Sequence, residues 1–130
     1  MRIQKKTEKK IINYYKDKKK IRRLEYEIGL LERAIFDIER CRTDENIKVI
    51  ENRIEKSKRK LIEKKLQLNE IINENMDLEA FIFNLDREDK ELFDLRYNRE
   101  LGYQEIGRVL HISNSTISRR INNILMSVSR

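Results

Sequence analysis

Ile21, Leu24, Ile28, Leu31, Ile35 and Ile38 follow one another at spacings of 3, 4, 3, 4 and 3. This heptad seam is what a helix buries when it packs lengthwise on another helix, and no strand could hide residues so spaced. Tyr14 extends the seam one heptad back, and the apolar stripe begins at Ile11. A second pattern follows a short polar link, Arg40-Cys41-Arg42-Thr43-Asp44-Glu45-Asn46. One of its core positions reads Ile47, Ile54, Leu61, Leu68, Asn75, Ile82, and the other Ile50, Ser57, Lys64, Ile71, Leu78, Leu85. Ser57 and Lys64 weaken its middle, and Asn75 is a polar interruption of the kind that fixes register. Two helices of about 35 residues would each span roughly 50 Å. The short link favours an antiparallel pair with the seams facing. Basic residues close the first helix, and Thr43 or Asp44 can cap the second. The second helix is expected to run on through Asn75 towards Leu85.

Composition agrees with helix throughout. The 130 residues include no proline and three glycines, with 41% charged and 38% apolar side chains. Long helices alone bury a thin core, so a partner chain should cover part of the apolar surface; Phe36, Ile62, Leu66 and Ile72 lie off the seams. A homodimer through the hairpin is the expectation. Residues 1–20 carry nine basic residues against two acids, which already equals the net charge of +7. Residues 1–10 read as a basic arm, free to be disordered, that suits a polyanion better than a membrane.

The densest information lies in residues 102–125. Tyr103, Ile106, Val109 and Leu110 share one helical face, and Ile117, Ile121, Ile124 and Leu125 share another. Only His111-Ile112-Ser113 separates the two helices, which leaves room for a tight turn alone. Ser113 or Asn114 can cap the second helix. Gly107 falls mid-helix at a cost of about 1 kcal/mol against alanine; a second helix crossing too close for a larger side chain would explain it. Ile112 would plug the gap, and Ile117 would anchor the second helix. Asp86 should cap a helix over 87–98. The expected core of this small domain is Phe81, Leu92, Leu95, Tyr103, Ile106, Val109, Leu110, Ile117 and Ile121, with the hydroxyls of Tyr97 and Tyr103 at the surface.

This is a helix-turn-helix pattern, and its second helix is polar on the outside: Asn114, Ser115, Thr116, Ser118, Arg119, Arg120, Asn122 and Asn123. Beyond Glu105 there is no Asp or Glu, whereas residues 86–105 hold seven acids against four basic residues. Charge separated in this way suits a phosphate-facing surface. Asn114, Ser115, Ser118 and Arg119 are placed for base edges in a major groove, where Arg reads guanine and Asn reads adenine. Gln104, Arg108, Thr116 and Arg120 are placed for phosphates; Ser113 and Asn122 complete the expected DNA-binding set.

The run from Leu85 to Leu125, with Leu85-Asp86-Arg87-Glu88-Asp89-Lys90-Glu91 opening a helix, Leu95-Arg96-Tyr97 closing it, Tyr103-Gln104-Glu105-Ile106-Gly107 and the turn from His111 to Arg120, resembles region 4 of bacterial sigma factors. It is more similar still to small phage regulators of the ArpU and RinA kind, which carry such a region after a charged helical N-terminus. The resemblance spans about residues 77–128. It implies recognition of promoter or operator DNA and regulation of transcription. Gly102 stands where the family usually has a Ser or Thr cap, and His111 where glycine is common in the turn.

Nothing in the sequence assembles a catalytic centre. His111 and Cys41 are the only His and Cys, and neither has a metal-ligand partner of its own kind. The glycines are isolated, so no phosphate loop exists. Ser57, mid-heptad, is the only serine before Ser113, which excludes the nucleophile domain of a serine recombinase. One cysteine and no apolar segment of membrane length point to a soluble, cytoplasmic protein. The reading is therefore an all-α, non-enzymatic chain without cofactor or metal: a basic arm (1–10), a long antiparallel helical hairpin (11–79), and a region-4-like helix-turn-helix domain (77–130). Its expected partners are double-stranded DNA, a second copy and, as a further option, RNA polymerase. The alternatives are a DNA-packaging factor resembling small terminase subunits, and a helical adaptor that grips RNA polymerase.

Overall fold

The computed structural model describes residues 2–128, with side chains from residue 5 onward. The outermost positions of the expected arm and head, residues 1, 129 and 130, lie outside the described residues. Six α-helices follow in order: α1 (Arg2–Arg40), α2 (Ile47–Glu74), α3 (Met76–Phe83), α4 (Arg87–Phe93), α5 (Tyr103–Leu110) and α6 (Asn114–Val128). A π-helical turn, Asp94–Asn98, continues α4. The described residues form no strand. They fall into two compact units, one of residues 2–17 with 75–128 and one of residues 18–74.

The second unit is the hairpin, and its seams are those read from the heptads. Ile35, Ile50 and Ile54 are buried together, with Ile38 and Leu61 packed against them. Lys64, the charged interruption in the α2 seam, reaches Glu27 of α1 at 2.5 Å, so a position that weakens apolar packing fixes an antiparallel register instead. Ile47, expected in the seam, is 36% exposed at the first residue of α2. The link is organised by Asn46 rather than by Thr43 or Asp44: its Oδ1 accepts the Thr43 N–H at 2.8 Å and its Nδ2 donates to the Cys41 carbonyl at 3.3 Å. Tyr26, Leu30, Phe36, Ile62 and Leu66 remain exposed on this unit.

The first unit is the head, and its composition differs from the expected partition. Residues 2–10 are the opening turns of α1, not a separate arm. Thr7, Ile11, Tyr14 and Tyr15 are buried, and the last three join the head core with Ile82, Leu92, Phe93, Leu95, Tyr97, Ile106, Ile117, Ile121, Ile124 and Leu125. Tyr14 meets Tyr15 edge-on at 5.0 Å, and Tyr15 stacks on Tyr97 at 6.5 Å. The heptad spacing at Ile11 and Tyr14 is real, but aromatic and aliphatic neighbours of the head satisfy it. The Tyr14 hydroxyl hydrogen-bonds the Glu79 carboxylate.

Helix α2 also stops short of the expected run to Leu85. Asn75, at φ −104° and ψ 5°, breaks the helical path, and α3 starts beyond it with the Asn75 carbonyl accepting the Glu79 N–H at 2.8 Å. The Asn75 amide is buried and donates to Asp17 at 2.9 Å. Asp86 caps α4 as its sequence suggests, accepting the Asp89 N–H at 2.9 Å. The π-helical turn, closed by Arg99 N–H to the Asp94 carbonyl at 2.9 Å, re-phases the chain so that Leu95 and Tyr97 stay buried behind Leu92 and Phe93. The Tyr97 hydroxyl is buried, not at the surface. Val109, expected in the core, is 53% exposed.

Candidate nucleic-acid interface

Helices α5 and α6 meet where the sequence places a glycine. A Cβ on Gly107 would lie 2.8 Å from the Ile112 carbonyl oxygen, 3.3 Å from Asn114 Oδ1 and 3.6 Å from Ile117 Cδ1. The close neighbour is thus the backbone of the turn, with the second helix just behind it. Helix α5 ends at His111, which adopts the left-handed conformation (φ 59°, ψ 42°) and donates its N–H to the Gly107 carbonyl. The Ile112 N–H reaches the same carbonyl at 3.2 Å. His111 therefore does what glycine does at a helix C-terminus, at the position where the resemblance led one to expect glycine. Ile112 packs half-buried against the head core, and Ile117 is fully buried.

Ser113 is the residue that caps α6. Its Oγ accepts the Thr116 N–H at 3.2 Å and lies 2.8 Å from the Thr116 hydroxyl and 3.2 Å from the Ser115 hydroxyl. At the other end of the motif, Gly102 precedes α5 without a side-chain cap. Its place is held by Arg96, which donates to the Leu101 carbonyl at 3.1 Å and lies over the Tyr103 ring at 4.4 Å. Nothing in the sequence marked Arg96 for this role, because the latch depends on the π-helical turn.

With Ile117, Ile121, Ile124 and Leu125 turned to the core, the 3.6-residue repeat puts Ser115, Arg119, Asn122 and Met126 in one row on the opposite side. Ser115, Arg119 and Met126 are exposed, and Asn122 is half-buried at the edge of the row. Gln104 and Arg108 are exposed on α5, and Thr116 and Ser118 flank the row half-buried. Asn123, on the polar outer face read from sequence but outside the expected DNA-binding set, is exposed beside the row, and Met126 belongs to neither. Outward phase on α6 was the signal that could have found them.

Two expected contacts are placed differently. Asn114 is exposed, but its amide oxygen leans over Gly107, not along the outward row. Arg120 turns back to α4, where its guanidinium meets Glu88 at 2.7 Å. Position in the helix explains this, since residue 120 falls on the flank facing α4 rather than on the outward row. Glu88 raises the Arg120 pKa through that hydrogen bond. Burial raises the Asp89 pKa, with Asp86 adding to it and Arg120 opposing it.

Among the described residues no His, Cys, Asp and Glu are grouped as a metal would need, and no helix is long and apolar enough to cross a membrane. The chain matches no curated protein and no solved structure. One family model does match: residues 82–130 fit the family described as Sigma-70, region 4, so the C-terminal part of this all-helical chain is a region-4-like helix-turn-helix of DNA-binding type.

Proposed function

We propose that the chain is a sequence-specific DNA-binding regulator of transcription of the phage or prophage late-gene kind, with residues 114–125 entering the major groove. The observation that carries this reading is the outward row of α6: Ser115 and Arg119 are exposed, with Asn122 half-buried at the row's edge, in a segment that has no acid after Glu105. Arg119 is assigned to guanine and Asn122 to adenine, with Ser115 and Ser118 at neighbouring base edges and Asn123 beside them. Gln104, Arg108 and Thr116 are assigned to phosphates, and Ser113 holds the helix start that presents them. Asn114, whose amide oxygen lies over Gly107, and Arg120, paired with Glu88, contribute less.

A single helix-turn-helix makes too few contacts for tight site-specific binding, and joining two raises affinity through effective concentration. The exposed apolar side chains Tyr26, Leu30, Ile62 and Leu66 of the hairpin support a homodimer. The test is a binding-site selection from random duplexes with the wild-type chain and with Arg119→Ala. The wild type should enrich one motif, and the variant should lose preference at one base pair while losing about 1–3 kcal/mol. An unchanged motif would remove Arg119 from base readout, and absence of any motif would remove sequence-specific recognition. Light scattering on the same samples should give the mass of two chains; a ring of many subunits would favour the DNA-packaging reading.

A further inference from the structure

The head contains a second basic surface, on the opening turns of α1. There the inward stripe of Thr7, Ile11, Tyr14 and Tyr15 is buried. Lys5, Lys6, Lys9, Lys10 and Lys16 are all exposed, with Asn13 among them. No ion pair or hydrogen bond engages any of these five lysines among the described residues. The only acid between residues 5 and 16, Glu8, lies half-buried on the flank, close enough to Tyr97 to raise its pKa further.

Such a face opposes the rules for an isolated helix. Lys5 with Lys9 and Lys6 with Lys10 are like charges one turn apart, where a helix prefers opposite signs. The first turn holds no acid to complement the positive end of the helix dipole. A membrane surface would need an apolar face beside the lysines, and in these turns the apolar stripe is already spent on the head core. What remains is an exposed lysine face, in the same compact unit as α5 and α6.

We propose that this face is a second DNA contact, binding backbone phosphates of the duplex whose major groove receives α6. It rests on the DNA-binding reading above and adds a sequence-independent clamp outside the helix-turn-helix. Lysine serves this purpose as a point charge to phosphate, and the signature of such contacts is salt dependence, not base preference.

The experiment compares the full wild-type chain with the variant Lys5→Gln/Lys6→Gln/Lys9→Gln/Lys10→Gln. Both are titrated with a 30-base-pair random-sequence duplex and with the selected duplex, between 50 and 200 mM salt. If two or three phosphates are lost, the slope of log K against log salt falls by about 2–3, so the same rise in salt weakens the variant about 10- to 50-fold less than the wild type. The loss should be equal on both duplexes, whereas Arg119→Ala should discriminate between them. Glutamine keeps the helix and removes the repulsion, so circular dichroism should show equal helicity and an equal or higher Tm for the variant. A wild type that binds duplex with a slope the four substitutions leave unchanged overturns the clamp alone. A wild type that ignores every duplex at 50 mM salt overturns the clamp and the DNA-binding reading together.

Discussion

Replacing Gly107 by alanine sets two opposed effects against each other at the point where α5 meets the turn. Helix propensity favours alanine by about 1 kcal/mol. Against it, the new Cβ would sit 2.8 Å from the Ile112 carbonyl oxygen, well inside ordinary contact. That oxygen cannot swing away cheaply, because the His111 and Ile112 N–H groups are both tied to the Gly107 carbonyl. Asn114 and Ile117 close the space behind it. Relieving such overpacking costs roughly 1–3 kcal/mol. The net effect is a loss of up to about 2 kcal/mol, and each kcal/mol lowers the Tm of a domain this size by about 4–8 °C. Gly29 supplies the control: it lies mid-helix in α1 with nothing within 4 Å of its would-be Cβ. There alanine should add about 0.5–1 kcal/mol. Chemical denaturation followed by far-UV circular dichroism, with near-UV tyrosine signal reporting the head, should give opposite signs for the two variants. If Gly107→Ala stabilises the head as much as Gly29→Ala stabilises α1, the close approach is not what requires glycine.

Other consequences concern burial, charge and pH. Ile121→Ala removes a fully buried side chain and should cost about 2–5 kcal/mol; a loss below 1 kcal/mol in a denaturant titration would mean that α6 is not seated on this core. Arg120→Ala breaks only a surface pair with Glu88, worth about 0–1 kcal/mol, and should leave the salt slope of DNA binding within about 0.3 of wild type, whereas a lost phosphate contact would lower it by about 0.9. Burial pushes the Tyr15 hydroxyl up to about 12 and raises those of Tyr14 and Tyr97 as well. A folded pKa above the unfolded value of about 10 means that this stability is fully present below pH 10 and is lost as pH rises towards 12 and beyond. Absorbance at 295 nm should show these tyrosines ionising late and together with loss of the near-UV signal; ionisation near pH 10 in a still-folded head would contradict their burial.

Much of this molecule was legible before any coordinate. Heptad spacing at Ile21 to Ile38 suffices for a long helix and names its buried face, because period follows from backbone geometry alone. The same holds for the two short helices around His111-Ile112-Ser113, where Gly107, the Asp86 cap and the acid-free end of the chain each have a local cause. Three features needed the tertiary structure. An apolar stripe says that a face is buried but not against what, so Ile11 and Tyr14 read as hairpin when they are buried in the head core with Phe93 and Tyr97. A single π-helical turn shifts helical phase without a compositional mark, which hid the burial of the Tyr97 hydroxyl and the Arg96 latch. Direction of a long polar side chain is decided by whichever charge lies within reach, so Arg120, basic and on the right helix, turns to Glu88 while Arg119 stays in solvent. Sequence fixes which residues a helix presents on each side; only packing decides which side meets the core and which is left for DNA.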